Sequence, residues 1–274
     1  MSTDSQTVSR IEQLSLSAWP ALRTVFFDGW IMRFSDGYTK RSNSVVPLFP
    51  GTMDTESKVD YCRRLYNERN LPTIFKMTED FSNATLDAYL SGNGFDRIDE
   101  TMVQTCPLSS LPHVDTQRLH LQNGFSEEWI TGFFECSEVR DPKKRETVRS
   151  LLAHIAERIV TARKCVEEHT VGCGFGVVQG RNAGLFDIFV AKDFRQRGIA
   201  TEIVGALLKR AGDMGAASAY LQVVADNEPA KRLYSKLGFR EAYRYWYRIK
   251  PADAELGSEV PPDPEASYGG SQKA

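Results

Sequence analysis

The first strong strand signals along the chain are "GWIMRFSDG" (29–37) and "YTKRSNSVVPLF" (38–49), and Asp36-Gly37 between them suits a tight hairpin turn. After Gly51 the apolar period changes. In "ESKVDYCRRLYNERN" the residues Val59, Cys62, Leu65 and Tyr66 return every three or four positions, which is the spacing of an amphipathic helix. A strand at "TIFKM" (73–77), a helix around "ATLDAYLSG" (84–92), a turn at "GNGF" and a strand "RIDETMVQT" (97–105) complete a β-β-α-β-α-β order.

Pro107 and Pro112, with Ser109 and Ser110 between them, read as a linker. Beyond it the pattern predicts a strand near "QRLHLQN", helices within "SEEWITGFFECS" and "KKRETVRSLLAHIAERI", and a pair of strands at 161–180 and 182–192. Gly172, Gly174, Gly176 and Gly180 in the first of these mark bulges or close backbone approach. A glycine turn at Gly198 then opens a helix to about Met214, followed by strand 219–225, helix 228–238 and strand 239–250. The tail from Pro251, rich in Pro, Gly and acidic residues, is expected to be disordered. The order strand, loop, helix, strand, helix, Gly-Phe, strand occurs in both halves, as a diverged duplication would leave it. The expected organisation is an α/β chain with units at 1–108 and 116–250, a linker at 109–115 and a tail at 251–274.

Composition narrows the function classes. With 41% hydrophobic and 26% charged residues, the chain has the profile of a soluble globular protein. A net charge of −2 provides no global positive field to gather nucleic acid, so any bound anion must be held locally. The five cysteines (Cys62, Cys106, Cys136, Cys165 and Cys173) show neither C-x-x-C nor metal-ligand spacing and read as reduced, mostly buried side chains. No metal site is expected. The polar N-terminus lacks signal-peptide character and no apolar run has the length of a membrane span, so the expected location is cytoplasmic.

The chemistry concentrates in "FVAKDFRQRGIATEIVGALLKRAG". Ile199, Ile203, Leu207 and Ala211 line one helical face, and the helix starts at or just after Gly198, directly behind a strand. Its first turn exposes unpaired N–H groups at the positive end of the helix dipole. Gly198 and the small Ala200 leave room for a diphosphate, and Arg195 and Arg197 can add charge-assisted hydrogen bonds. Taken alone, the same residues also fit a simple turn with solvated arginines.

With these residues the chain resembles the GNAT superfamily of acyl-CoA N-acyltransferases. Arg195, Gly198 and Ala200 fill that family's [QR]-x-x-G-x-[GA] pyrophosphate loop, with Gln196, Arg197 and Ile199 completing the cradle. Asn227, Ala230, Tyr234 and "LGF" (237–239) match its second motif, and the resemblance covers roughly 116–250. It implies two tandem GNAT-like domains, each a mixed, mostly antiparallel central sheet flanked by helices. It also implies parallel strands "LFDIFVAK" and "AYLQVVA" that part at their C-terminal ends, with the acyl-pantetheine arm hydrogen-bonded to main chain near Phe189 and Val190. Asn227 would contact that arm or simply cap the next helix. Tyr234 matches the position that donates a hydrogen bond or proton to the departing sulfur. Asp187 lies where many relatives carry an acidic residue and would act as a base or form a salt bridge; a water relay also serves. Cys173 lacks an adjacent histidine, and direct transfer makes it superfluous.

The N-terminal copy departs from this pattern. It reads "PGTMDTES" where the second half has Arg195 to Gly198, and Asp54 and Glu56 there would repel a pyrophosphate. This half is expected to keep the scaffold without the cofactor, while Trp30, Arg33, Arg41 and Asn43 either border an acceptor pocket or serve packing. The expected activity is transfer of an acetyl group from acetyl-CoA to a primary amine on a small molecule or peptide. The alternatives are a non-catalytic acyl-CoA sensor and a structural partner module. Acceptor identity, acyl preference and oligomeric state are not written in the sequence.

Overall fold

Eleven strands join in one continuous sheet in the order β1-β2-β3-β4-β11-β5-β10-β9-β8-β7-β6, as seen in a computed structural model that describes residues 5–79, 83–111, 114, 119–137 and 139–253. The expected tail beyond 253 and parts of the expected linker lie outside the described residues. The first half supplies α1 (Ser5–Ala18), β1 (Arg23–Phe27), β2 (Trp30–Phe34), β3 (Val45–Pro47), α2 (Thr55–Asn67), β4 (Thr73–Thr78), α3 (Ala84–Gly92) and β5 (Asp96–Pro107). The second supplies β6 (His120–Asn123), α4 (Glu127–Cys136), α5 (Pro142–Ala153), β7 (Arg158–Val166), β8 (His169–Gln179), β9 (Asn182–Val190), α6 (Ile199–Asp213), β10 (Ser218–Val224), α7 (Glu228–Lys236) and β11 (Arg240–Lys250).

The repeat foreseen in the sequence is visible as geometry. β3 and β4 run parallel with α2 between them in sequence, and β9 and β10 run parallel with α6 between them. The last strands of the halves interleave: β11 lies antiparallel between β4 and β5, and β5 lies between β11 and β10. The mixed α/β sheet with flanking helices is as expected, and the exchange of β5 and β11 fuses the two sheets into one.

Three elements differ from expectation. The tight hairpin joins β1 to β2 through Asp28-Gly29, both at positive φ, with Phe27 paired to Trp30. Asp36-Gly37 instead begins a longer loop between β2 and β3. The segment 161–180 is not one strand but the hairpin β7–β8, which turns at Glu167, also at positive φ. Finally, α1 and β1 precede the first strand signal. Val8, Ile11, Ser15 and Ala18 form the buried face of α1, and Pro20 just beyond it cannot continue a helix.

α1 ties the halves together. Its residues share one apolar core with Trp129 and Phe133 of α4 and with Phe175 and Phe186 of the sheet. Trp19 stacks on Phe175 and Phe186 at 6.0 and 6.2 Å. On the same helix, buried Glu12 accepts hydrogen bonds from Lys76 of β4 (2.6 and 2.8 Å) and from the Tyr243 hydroxyl of β11 (2.7 Å). A charge inside a core persists only when paired in this way. A second core lies under α6 and a third under α2 and α3. Among the described residues no helix is long and apolar enough to cross a membrane.

Candidate functional site

β9 and β10 are paired from Ser218↔Asn182 to Leu221↔Leu185 and then separate. β9 continues along β8 alone, through a register shift that sets Phe175 opposite Phe186 and Cys173 opposite Phe189. The extra residue of this bulge involves Asp187, held at φ 49°. Because the Ala191 N–H bonds back to Val171 on the β8 side (2.9 Å), the alternation of a strand turns the polar groups of Val190 to the open side. There the Val190 carbonyl accepts from Arg195 Nε at 3.1 Å.

The start of α6 closes one end of this gap. Gly198 caps the helix at φ 80° with no side chain bonded to the first turn, and a Cβ placed on it would meet no heavy atom within 4 Å. Gln196 is also left-handed, at φ 62°. Arg195, Gln196 and Arg197 are exposed, Ile199 is buried and Ala200 half-buried. Arg197 lies over the Phe194 ring at 5.1 Å and donates to the Asp193 carbonyl at 3.0 Å. Glycines of β8 set the helix close to the sheet: a Cβ on Gly172 would come within 2.7 Å of Ile199 Cγ2, and one on Gly174 within 3.2 Å of Ile203 Cγ2. The result is an uncapped, positively polarised helix end beside an open strand edge, a geometry with the chemistry to receive an anion with an extended tail.

On α7, the Asn227 side chain accepts from the Ala230 N–H at 3.2 Å, the capping role weighed from sequence. Tyr234 packs edge-on against Phe239 at 5.8 Å, and burial pushes its phenol up to about 12. Asp187 bonds to Arg41 of the other half at 3.1 Å, so the salt bridge weighed for it is present. Arg41 lies over the Trp19 ring at 4.7 Å. Burial would push its guanidinium down, but Asp187 and the phenols of Tyr245 and Tyr247 hold it up. Tyr38 joins this group, its phenol raised to about 12 by burial and by Asp187. Cys173 is fully buried, its thiol raised by the Cys136 hydrogen bond and by burial, which suits a packed side chain and not a nucleophile.

Of the four N-terminal residues singled out in the sequence, only Arg41 reaches the neighbourhood of Asp187. Trp30 is buried under Lys58, 4.2 Å from its ring. Arg33 is buried and donates to the carbonyls of Leu16, Trp19 and Arg41. Asn43 fastens the 35–44 loop, accepting from Ser35 (2.7 Å) and Gly37 (3.0 Å) and donating to Thr39 (2.8 Å). Sequence reading missed Trp19 and Tyr38, whose only signal was their aromatic type near a Pro and a Gly.

The helix entrance of the first half is filled from within. Asp28 accepts from the Thr52 N–H (2.8 Å), the Met53 N–H (2.9 Å) and Lys58 (3.0 Å), which together hold its carboxyl far below the usual carboxylate range. Asp54 caps α2 through the Ser57 N–H at 2.9 Å.

Residues 6–248 match the family model described as "Probable histone acetyltransferase Rv0428c C-terminal". The chain is 27% identical over 257 residues to "Uncharacterized N-acetyltransferase YobR" of Bacillus subtilis, covering 89% of this chain and 98% of that one. Its fold is similar to a GCN5-related N-acetyltransferase from Kribbella flavida (TM-score 0.66, 14% identity, 89% of this chain and 96% of that chain). It is also similar to a tandem GNAT protein from the clavulanic acid biosynthesis pathway (TM-score 0.63, 13% identity, 89% and 88%).

Proposed function

The chain belongs to the Rv0428c C-terminal family of GNAT-type acetyltransferases, and from that premise we propose that it moves an acetyl group from acetyl-CoA to a primary amine by direct transfer in its second half. The observation that carries this reading is the uncapped Gly198 end of α6 beside the parting of β9 and β10. There the first-turn N–H groups, with Arg195 and Arg197, would hold the pyrophosphate, and the open side of Val190 would hold the pantetheine arm as an added strand. The backbone N–H of Val190 on that open side would polarise the thioester carbonyl.

The neutral amine nitrogen attacks the thioester carbon, the C–N bond forms and the C–S bond breaks. The sulfur leaves as a thiolate and the new amide nitrogen sheds a proton to water or to Asp187. Tyr234 faces the sulfur in this reading. With its phenol near 12 and a simple thiol near ~8.5, complete proton transfer to sulfur costs about 5 kcal/mol. The phenol therefore acts mainly as a hydrogen-bond donor that stabilises the leaving thiolate.

Calorimetric titration with acetyl-CoA, followed by an amine screen that detects free thiol, tests the proposal. Saturable binding with thiol release supports it. Binding without release from any amine points to a sensor, and a flat titration to a structural module.

A further inference from the structure

Half-buried Arg41 is built unlike Arg33, a buried arginine of the same half. Arg33 is a satisfied strut, 4% exposed, with its guanidinium spread over three carbonyls. Arg41 spends one nitrogen on Asp187, and among the described residues no other acceptor meets its remaining donors. A guanidinium carries five N–H groups, so most of them must find water or a ligand. The Arg41 side chain is 26% exposed while that of Asp187 is 9% exposed, so the cation is the more accessible end of the pair.

Arg41 is also held in advance. Its carbonyl accepts from Arg33 Nη1, whose own backbone carbonyl accepts from the Tyr66 hydroxyl at 2.9 Å. Its loop is fastened by Asn43 and by Ser42, which donates to the Tyr38 carbonyl at 2.8 Å. Its face rests on Trp19, which is stacked on Phe175 and Phe186. A long side chain fixed this way loses little further entropy when an anion arrives. Asp187, at the other end, sits on the β9 bulge where the strand edge opens.

From this geometry, and resting on the acetyl-transfer reading above, we infer that the acceptor is a small amino carboxylate. Its carboxylate is received by the spare donors of Arg41 while its amine lies on the Asp187 side. A zwitterion with its charges a few bonds apart matches a cation and an anion 3.1 Å apart by exchanging one ion pair for two. A lysine side chain in a peptide, with no nearby carboxylate, offers only one of the two. The product is the N-acetyl amino acid: the amine nitrogen gains the acetyl carbon and gives up a proton, and the CoA sulfur gains one.

The test compares matched acceptors: phenylalanine, serine and β-alanine, each beside its carboxamide and its decarboxylated amine. Thiol release is followed with the wild-type chain, Arg41→Gln and Arg41→Lys, after circular dichroism has verified folding. The expected wild-type result is at least a tenfold preference in kcat/KM for one of the acids over its amide, carried mainly by KM. In Arg41→Gln the acid-to-amide ratio collapses towards one, and Arg41→Lys restores part of it. Equal use of acids and amides, or a ratio unmoved in Arg41→Gln, overturns the inference. Acetyl-CoA binding is measured on the same samples. Intact binding with no turnover of any acid overturns the acceptor assignment alone, whereas absent binding removes both readings.

Discussion

Two helix entrances, built by the same strand-helix-strand unit, stand in one sheet and meet anions in opposite ways. At α2 the chain fills its own amide cradle: Asp28 takes the N–H groups of Thr52 and Met53, and Asp54 caps the helix. At α6 the cap is a bare Gly198 with open space over its Cα and two exposed arginines beside it. Both ends have the same dipole and the same orphan amides. What separates them is whether a carboxylate of the chain already occupies the place. On the acetyl-transfer reading, a duplicated unit keeps its fold while only one of its two entrances stays open to a ligand.

The largest expected effect breaks the joint that keeps both entrances in one body. Glu12→Gln leaves Lys76 charged and buried beside α1, and loss of one partner of a buried pair costs about 3–5 kcal/mol. Urea unfolding should show that loss, and a change under 1 kcal/mol would mean that the halves do not depend on α1.

Converting the second entrance into the first comes next. Gly198→Glu adds a carboxylate and a Cβ at a left-handed position, and acetyl-CoA affinity should fall about 100-fold, or ~2.7 kcal/mol by calorimetry. Tyr234→Phe should lower kcat by roughly tenfold or more with little change in KM. Burial raises the phenol to about 12, so it is neutral throughout the working range, and the rate profile between pH 6 and 10 should keep its shape at a lower level. Unchanged turnover across that range would dismiss the donor role.

Two smaller effects sharpen the contrast. Asp28→Ala should lower the melting temperature without creating a second acetyl-CoA site, because Asp54 still caps α2. A second binding event would show that Asp28 alone silences the first half. Tyr38 and Tyr234, both raised to about 12 by burial, ionise near ~10 once unfolded. Unfolding then releases protons between these values, so stability should fall as pH rises from about 10 to about 12.

The sequence carried the local patterns well and the long-range ones poorly. α6, α2 and α3 were legible because their apolar stripes are clean and their ends are marked by Gly198, Asp54 and the Gly-Phe turns. α1 was not, because Glu12 sits on its buried face, and a charge in an apolar stripe reads as surface until its partners from β4 and β11 are known. The interleaving of β5 and β11 is likewise invisible to local pattern, since a strand's own order of apolar and polar positions does not say which strands flank it. The hairpin was misplaced because both Asp28-Gly29 and Asp36-Gly37 suit such a turn, and only the Phe27↔Trp30 register decides between them. At the candidate site, Gly198 and its arginines were marked by one short motif, while Tyr38 and Arg41 come from the other half and meet Asp187 only through the fold.

The account depends on the contrast between the two entrances, and an acetyl-CoA titration of the wild-type chain beside Gly198→Glu tests it most directly. The expected result is saturable binding at a single site per chain that weakens about 100-fold in the variant. Two sites in the wild type, or binding that survives Gly198→Glu undiminished, would contradict it.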